Sequence, residues 1–408
     1  VPVTSHTYRR RRLAVFGSAA VVLIAGAYLP MTLLAPLSPT AAVVVETDAP
    51  VVPSAELAWP QSTAVGVAAL GYPGMLASAG STEALPMASL TKVVGALTIL
   101  DAHPLDLGQS GPDITFTKQD VALYGSYQAA QATVKPVRSG LVLTQYETLQ
   151  ASLIPSAANY ATSLAIWAFG SEKAFVEAAG EWLTKNGLAE TTVTEPTGLD
   201  PRNTSTVADL VELGRLALSH PVVAEIVSTP AVTLPTAGLL ENSNKILGSL
   251  GIDGIKTGTL PEAGACLLFS SDFVVGGATI TIIGVALGGA LHSVQNPQIM
   301  ELVRTVQAGF TEITLATEGD EFARYGTEWG DTATAVAAST AKTVVWGGTP
   351  ISFSVEADSV TTAGNASSVG TVTFTVGSQV VKVPLVLEGD LEDPGAAWRL
   401  GNPALVFS

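Results

Sequence analysis

The chain is short of the groups that most often advertise chemistry. Its 408 residues include one cysteine, Cys266, so no intrachain disulfide can form. Cys266 sits in an apolar, strand-like stretch, where a lone cysteine reads as a small core residue rather than a nucleophile. Histidine is almost as scarce. His6, His103, His220 and His292 lack metal-ligand spacing, which predicts no metal site. They fall at what read as helix ends or loops, and no Gly-x-Ser-x-Gly elbow accompanies them, so a Ser-His-Asp triad is poorly supported. Charged residues make up only 13% of the chain and balance to −16. That acidic balance excludes the basic stripes of a nucleic-acid binder. There is no tandem repeat and no cofactor motif, so no cofactor is expected. What is plentiful is apolar surface, 47% of residues, enough for a sizeable core and for two or three domains.

The one dense block of positive charge is Arg9, Arg10, Arg11 and Arg12. An uncharged apolar run follows over residues 13–29 and, with residues 30–34, reaches the ~20 residues that span a bilayer. Clustered arginines stay cytoplasmic, which predicts a single-pass membrane protein with the rest of the chain on the extracellular face. A cleaved signal peptide is the rival reading. The run exceeds a usual signal core, so a retained anchor is preferred. The Pro/Ala/Thr/Val-rich stretch that follows reads as an extended linker.

Ser89-Leu90-Thr91-Lys92 carries the chemistry. In a helix, residues three apart share a face, so Lys92 can reach the Ser89 hydroxyl unaided. A nucleophile at a helix start also sits at the positive end of the dipole. Lys92 can act as a base only if burial or a neighbouring cation lowers its pKa. Alone, Ser-x-x-Lys is common by chance. Downstream, however, Lys256-Thr257-Gly258-Thr259 follows residues 251–255 and precedes residues 265–269, which read as two strands joined by a turn at 261–264. Ser-x-x-Lys followed by Lys-Thr-Gly on a strand is the signature pair of active-site-serine penicillin-binding enzymes. Lys256 offers positive charge and Thr257 and Thr259 offer hydroxyls for a substrate carboxylate. Gly258 leaves room along the strand edge. The N–H groups of Ser89 and Thr259 suit an oxyanion hole.

With these motifs the chain resembles the D-alanyl-D-alanine carboxypeptidases of the low-molecular-mass penicillin-binding protein family, over residues 59–310. Further stretches carry the resemblance: Pro86-Met87-Ala88 before the first motif, Leu153-Ile154-Pro155-Ser156, Glu195-Pro196-Thr197-Gly198-Leu199-Asp200, and Asn242-Ser243-Asn244-Lys245. The resemblance implies catalytic roles for Ser89, Lys92 and Ser156, and substrate binding by Lys256, Thr257, Gly258 and Thr259. It implies peptidoglycan stem peptides ending in D-Ala-D-Ala as substrate and β-lactams as inhibitors. One position departs. The second motif is Ser-x-Asn in the family, and here the third position is Ala158. Asn159 is one helical step, roughly 100°, out of place. Two readings stay open: a carboxypeptidase acting through an acyl-enzyme on Ser89, slowed by Ala158, and a degenerate homologue that binds cell-wall peptides. A β-lactamase reading would need Glu195 as a deacylating base.

The expected fold is α+β: a transpeptidase-like sheet covered by helices, with a helical lobe holding Ser156. Residues 64–70 and 76–79 read as a hairpin. Residues 146–170, 172–186 and 206–218 read as helices, the last with Thr206 as N-cap. Residues 274–289 suit strands, and 292–310 a closing helix. Beyond Thr311, residues 351–355, 370–376 and 380–387 read as strands of a small all-β domain. The expected divisions are a cytoplasmic tail 1–12, a transmembrane anchor 13–34, a linker 35–58, a carboxypeptidase-like domain 59–310 and a β-rich domain 311–408.

Overall fold

The computed structural model describes residues 5–407; the first four residues of the expected tail, and Ser408, lie outside the described residues. The chain forms two compact units. One comprises residues 54–311; the other joins residues 1–53 to residues 312–408. The second unit begins with a long helix, α1 (Ser5–Leu34), which beyond its four arginines is apolar and long enough to cross a membrane. It is the one such helix among the described residues. A short strand follows, β1 (Val43–Val44).

The larger unit opens with the hairpin β2 (Ala64–Ala69) and β3 (Ala77–Gly80). Seven helices follow: α2 (Thr91–Ala102), α3 (Lys118–Ala129), α4 (Gln145–Leu153), α5 (Ala158–Phe169), α6 (Glu172–Lys185), α7 (Val207–Ser219) and α8 (Pro221–Ser228). Then come β4 (Ile252–Leu260), β5 (Gly264–Val275) and β6 (Ala278–Gly289), closed by α9 (His292–Ala308). The sheet order is β4-β5-β6-β2-β3, antiparallel throughout. Gly276 and Gly277 connect β5 to β6 with positive φ at both positions, as a two-residue hairpin of matching twist requires. The strand carrying Lys256 is thus outermost, with one edge unpaired in the sheet.

Helix α2 is buried from Thr91 through Leu100. A helix buried on all sides belongs at the centre of its unit, and each fully buried Val or Leu contributes about 1.5–3 kcal/mol. α7 starts as expected, with the Thr206 side chain accepting from the Asp209 N–H. The expected helix over 146–170 is instead two, α4 and α5. Pro155 has no N–H for the helical ladder, and Ser156 adopts a left-handed φ of 67°, so the chain must turn at residues 154–157.

In the second unit, the label order continues with β7 (Phe310–Ala316), β8 (Glu321–Gly326), β9 (Thr332–Ala337), β10 (Ala341–Trp346), β11 (Ile351–Ala357), β12 (Ser368–Val376) and β13 (Gln379–Glu388), then α10 (Gly395–Gly401) and α11 (Pro403–Val406). Six strands form a sheet in the order β1-β8-β9-β13-β12-β11, and β7 pairs with β10. Phe322, Phe353 and Phe374 stack at 5.5–6.2 Å in its core. The all-β character expected here holds, with four strands and two short helices beyond those foreseen. The stretch expected as a free linker is largely part of this unit. Val43 and Val44 pair with Arg324 and Ala323, Thr40 bridges Val360, and Ala42 and Val52 pack on the core. β-Branched residues such as these favour strand pairing. Arg399, buried, donates to the carbonyl of Ala35 at 2.6 Å and pairs with Asp393, which caps the C-terminal end of α1.

Candidate active site

Ser89 lies in a single 3-10 turn, Ala88–Leu90, that feeds directly into α2. Local bonds hold the turn. The Thr91 hydroxyl donates to the Ala88 carbonyl at 2.8 Å, and the Met87 N–H donates to the Asn203 carbonyl at 3.0 Å. Ala88 itself is left-handed, at φ 46°. A non-glycine residue there costs about 1–3 kcal/mol, a strain that clusters at functional sites. The i,i+3 geometry brings Lys92 Nζ within 2.9 Å of Ser89 Oγ. The same ammonium donates to the Thr197 carbonyl at 2.5 Å. Lys92 is buried, and burial lowers its pKa to about 8 against an opposing pull from Glu195.

The Thr197 carbonyl is placed by a loop built around the Glu195 carboxylate. It accepts from the N–H groups of Thr197 at 2.7 Å, Gly198 at 2.5 Å and Leu199 at 2.9 Å, from the Thr197 hydroxyl at 2.6 Å and from Asn203 Nδ2 at 2.6 Å. Such a caged carboxylate shapes the backbone around itself. It has no lone pair to spare for activating water, which removes the β-lactamase alternative's base. Gly198, at φ +81°, lies so close to the nucleophile's turn that a Cβ would stand 1.9 Å from the Ala88 carbonyl oxygen.

β4 approaches that turn from another side. A Cβ on Gly258 would stand 3.0 Å from the Ser89 nitrogen and 3.0 Å from Ala88 Cβ. Lys256 is buried, its ammonium donating to the Thr257 carbonyl at 3.0 Å. Burial and the nearby Lys92 hold its pKa well below the usual lysine range. Thr257 Oγ1 is 2.6 Å from Ser243 Oγ, and the Ser243 N–H donates to the Ile154 carbonyl at 3.0 Å. This links the turn at 154–157, which carries Ser156, to the strand. Among the described residues no hydrogen bond joins Ser156 to Ser89 or Lys92. Asn159 faces away from the nucleophile: its amide is spent on the backbone of Lys135, accepting from its N–H at 3.1 Å and donating to its carbonyl at 3.0 Å. The position two after Ser156 is filled by the buried methyl of Ala158.

Sequence reasoning missed three contributors. His292 was set aside with the other histidines, yet its Nε2 lies 3.0 Å from Thr259 Oγ1 and 3.1 Å from the Gly258 carbonyl. Its position immediately after the last sheet strand was the available signal. Ser243 and the Thr197 carbonyl act through contacts between distant segments, for which the sequence held no signal beyond the resemblance. Cys266 is buried in β5, and burial pushes its thiol up to about 11, in keeping with a core role.

A family model described as D-alanyl-D-alanine carboxypeptidase (peptidase S11) matches residues 73–288, more than half of the chain. The D-alanyl-D-alanine endopeptidase of Escherichia coli is 30% identical over 195 residues, covering 45% of this chain and 58% of the relative. The chain thus spans a little over half the length of that relative. The D-alanyl-D-alanine carboxypeptidase DacB2 of Mycobacterium tuberculosis is 31% identical over 221 residues, covering 52% of this chain and 71% of the relative. Among solved structures, a peptidoglycan synthesis regulatory factor (PBP3) of Streptococcus pneumoniae superposes with a TM-score of 0.58 at 20% identity. It covers 82% of this chain and all of that one. The fold is therefore that of the penicillin-binding proteins.

Proposed function

Because the chain belongs to the D-alanyl-D-alanine carboxypeptidase family of peptidases, we propose that it is a serine-type peptidase that removes the terminal D-alanine from peptidoglycan stem peptides through an acyl-enzyme on Ser89. The observation that carries this reading is the 2.9 Å approach of a buried, pKa-lowered Lys92 to Ser89 Oγ. Neutral Lys92 takes the hydroxyl proton as Ser89 Oγ attacks the carbonyl carbon of the D-Ala-D-Ala bond. The resulting oxyanion is held by the N–H groups of Ser89 and Thr259. The amine of the departing D-alanine receives a proton from the Lys92 ammonium, with Ser156 as the relay. Water then attacks the acyl carbon, and Ser89 is released. The substrate carboxylate is bound by Thr257, Thr259 and Lys256.

One observation favours a second reading. With Ala158 in place of an amide and Asn159 committed to Lys135, nothing there grips the substrate's peptide carbonyl. Loss of one such group costs about 10²–10³ in rate, so the chain can be a peptide binder with little turnover. The test is release of D-alanine from an acetylated lysyl-D-alanyl-D-alanine peptide by the full chain in detergent. The account predicts measurable release, abolished by Ser89→Ala and raised by Ala158→Asn. Binding of the peptide without release establishes the binder reading instead. In either case we propose a single-pass protein anchored through α1, with the peptidase unit on the extracellular face.

A further inference from the structure

We propose that His292 is a positioning residue for recognition of the substrate's terminal carboxylate, fixing Thr259 so that the threonine's hydroxyl hydrogen points at the ligand. The inference deepens the proposed function and rests on it. The argument starts from the Gly258 carbonyl, which can only accept. With His292 Nε2 at 3.1 Å from that oxygen, the hydrogen must reside on Nε2. The same N–H is 3.0 Å from Thr259 Oγ1, a shared bond of a common kind. The threonine oxygen therefore accepts from the imidazole, and its own hydrogen is directed elsewhere. Among the described residues Thr259 Oγ1 has no second partner, and Thr259 is exposed on the outermost strand, so the hydroxyl is left to donate to an incoming group. Thr257 is different: its hydroxyl is already engaged with Ser243.

The other imidazole nitrogen supports this tautomer. His292 Nδ1 is buried and has no hydrogen-bond partner among the described residues. Protonating it would bury an unpaired N–H, and the first turn of α9 carries no acidic residue to compensate. Burial lowers the imidazole's pKa, with Lys256 adding to the effect and the bond to the Gly258 carbonyl opposing it. A neutral ring with its hydrogen on Nε2 is the form that leaves Thr259 a donor. A residue that only stapled α9 to β4 would have no bearing on which ligand binds.

The test uses the full chain in detergent carrying Ser89→Ala, so that binding is read without chemistry. Calorimetric titration compares the acetylated lysyl-D-alanyl-D-alanine peptide with its C-terminal amide. Hydrogen bonds to charged groups are worth enough that His292→Ala should weaken binding of the acid about tenfold or more, with the amide unchanged. His292→Gln, whose side-chain N–H can reach the same two oxygens, should bring the acid back to within about threefold. Equal losses for acid and amide, an unchanged acid affinity, or a glutamine variant no better than alanine overturns the proposal while leaving the proposed function standing. If the parent binds neither peptide, the proposed function falls and takes this inference with it.

Discussion

Lys92 shows how a residue's place in the fold sets its chemistry. A lysine at its ordinary pKa would be fully charged near neutrality and useless as a base; burial brings this one to about 8. The sign follows directly. The neutral, competent form grows as pH rises and saturates above the folded pKa. Acylation by a penicillin should therefore increase about tenfold per pH unit on the acid side and level off near pH 8. Lys92→Arg, which cannot deprotonate, should remove the reaction at every pH. A flat profile between pH 6 and 9 would assign the base elsewhere. Ser89 and Lys92 were legible because a helix ties them together at fixed spacing. Glu195 was legible only as a carboxylate near a motif. Its role as the hub of the loop that presents the Thr197 carbonyl depends on six donors gathered around it, and a turn's closure is not written in any periodicity.

At the scale of elements, the nucleophile's turn is clasped between two glycines, Gly198 from the 195–200 loop and Gly258 from β4. A Cβ at Gly198 would overlap the Ala88 carbonyl, one at Gly258 would crowd the turn at 3.0 Å, and Gly198 also needs its positive φ. Gly198→Ala should displace the loop from Ala88, break the bond between Lys92 and the Thr197 carbonyl, and lower acylation at least tenfold, with a stability loss of about 1–3 kcal/mol. Thermal unfolding and penicillin labelling of the same preparation separate the two effects; undiminished labelling would mean the clasp is not needed. The strands β5 and β6 were legible from their β-branched runs and paired glycines, and α7 from its cap. The break between α4 and α5 was not, because the apolar pattern runs straight through it. Only Pro155 hinted at it, and the left-handed Ser156 that completes it is a strained residue no propensity favours. The same break holds Ser156 in the loop that Ser243 ties to the Lys-Thr-Gly strand.

At the scale of the whole molecule, the family's sheet and helices were legible because several motifs fall in order along one unit. The division of the chain was less so. Composition marked residues 35–58 as a linker, yet residues 40–53 run along the β unit, where Val43 and Val44 extend its sheet. Pairing with a strand some 280 residues away leaves no local trace. The long apolar N-terminal helix was legible from length and hydropathy alone. The full chain should stay with the membrane fraction through high-salt and alkaline-carbonate washes, as peripheral proteins do not; recovery in the wash would contradict a spanning α1.

The central claim is that Ser89 is a working nucleophile with Lys92 as its base. Incubating the full chain with a fluorescent penicillin, digesting it and mapping the labelled peptide tests this most directly. The account predicts one covalent adduct, on the peptide containing Ser89, absent from Ser89→Ala and from Lys92→Arg. An adduct at another residue, or no adduct at any pH up to 9, would contradict it.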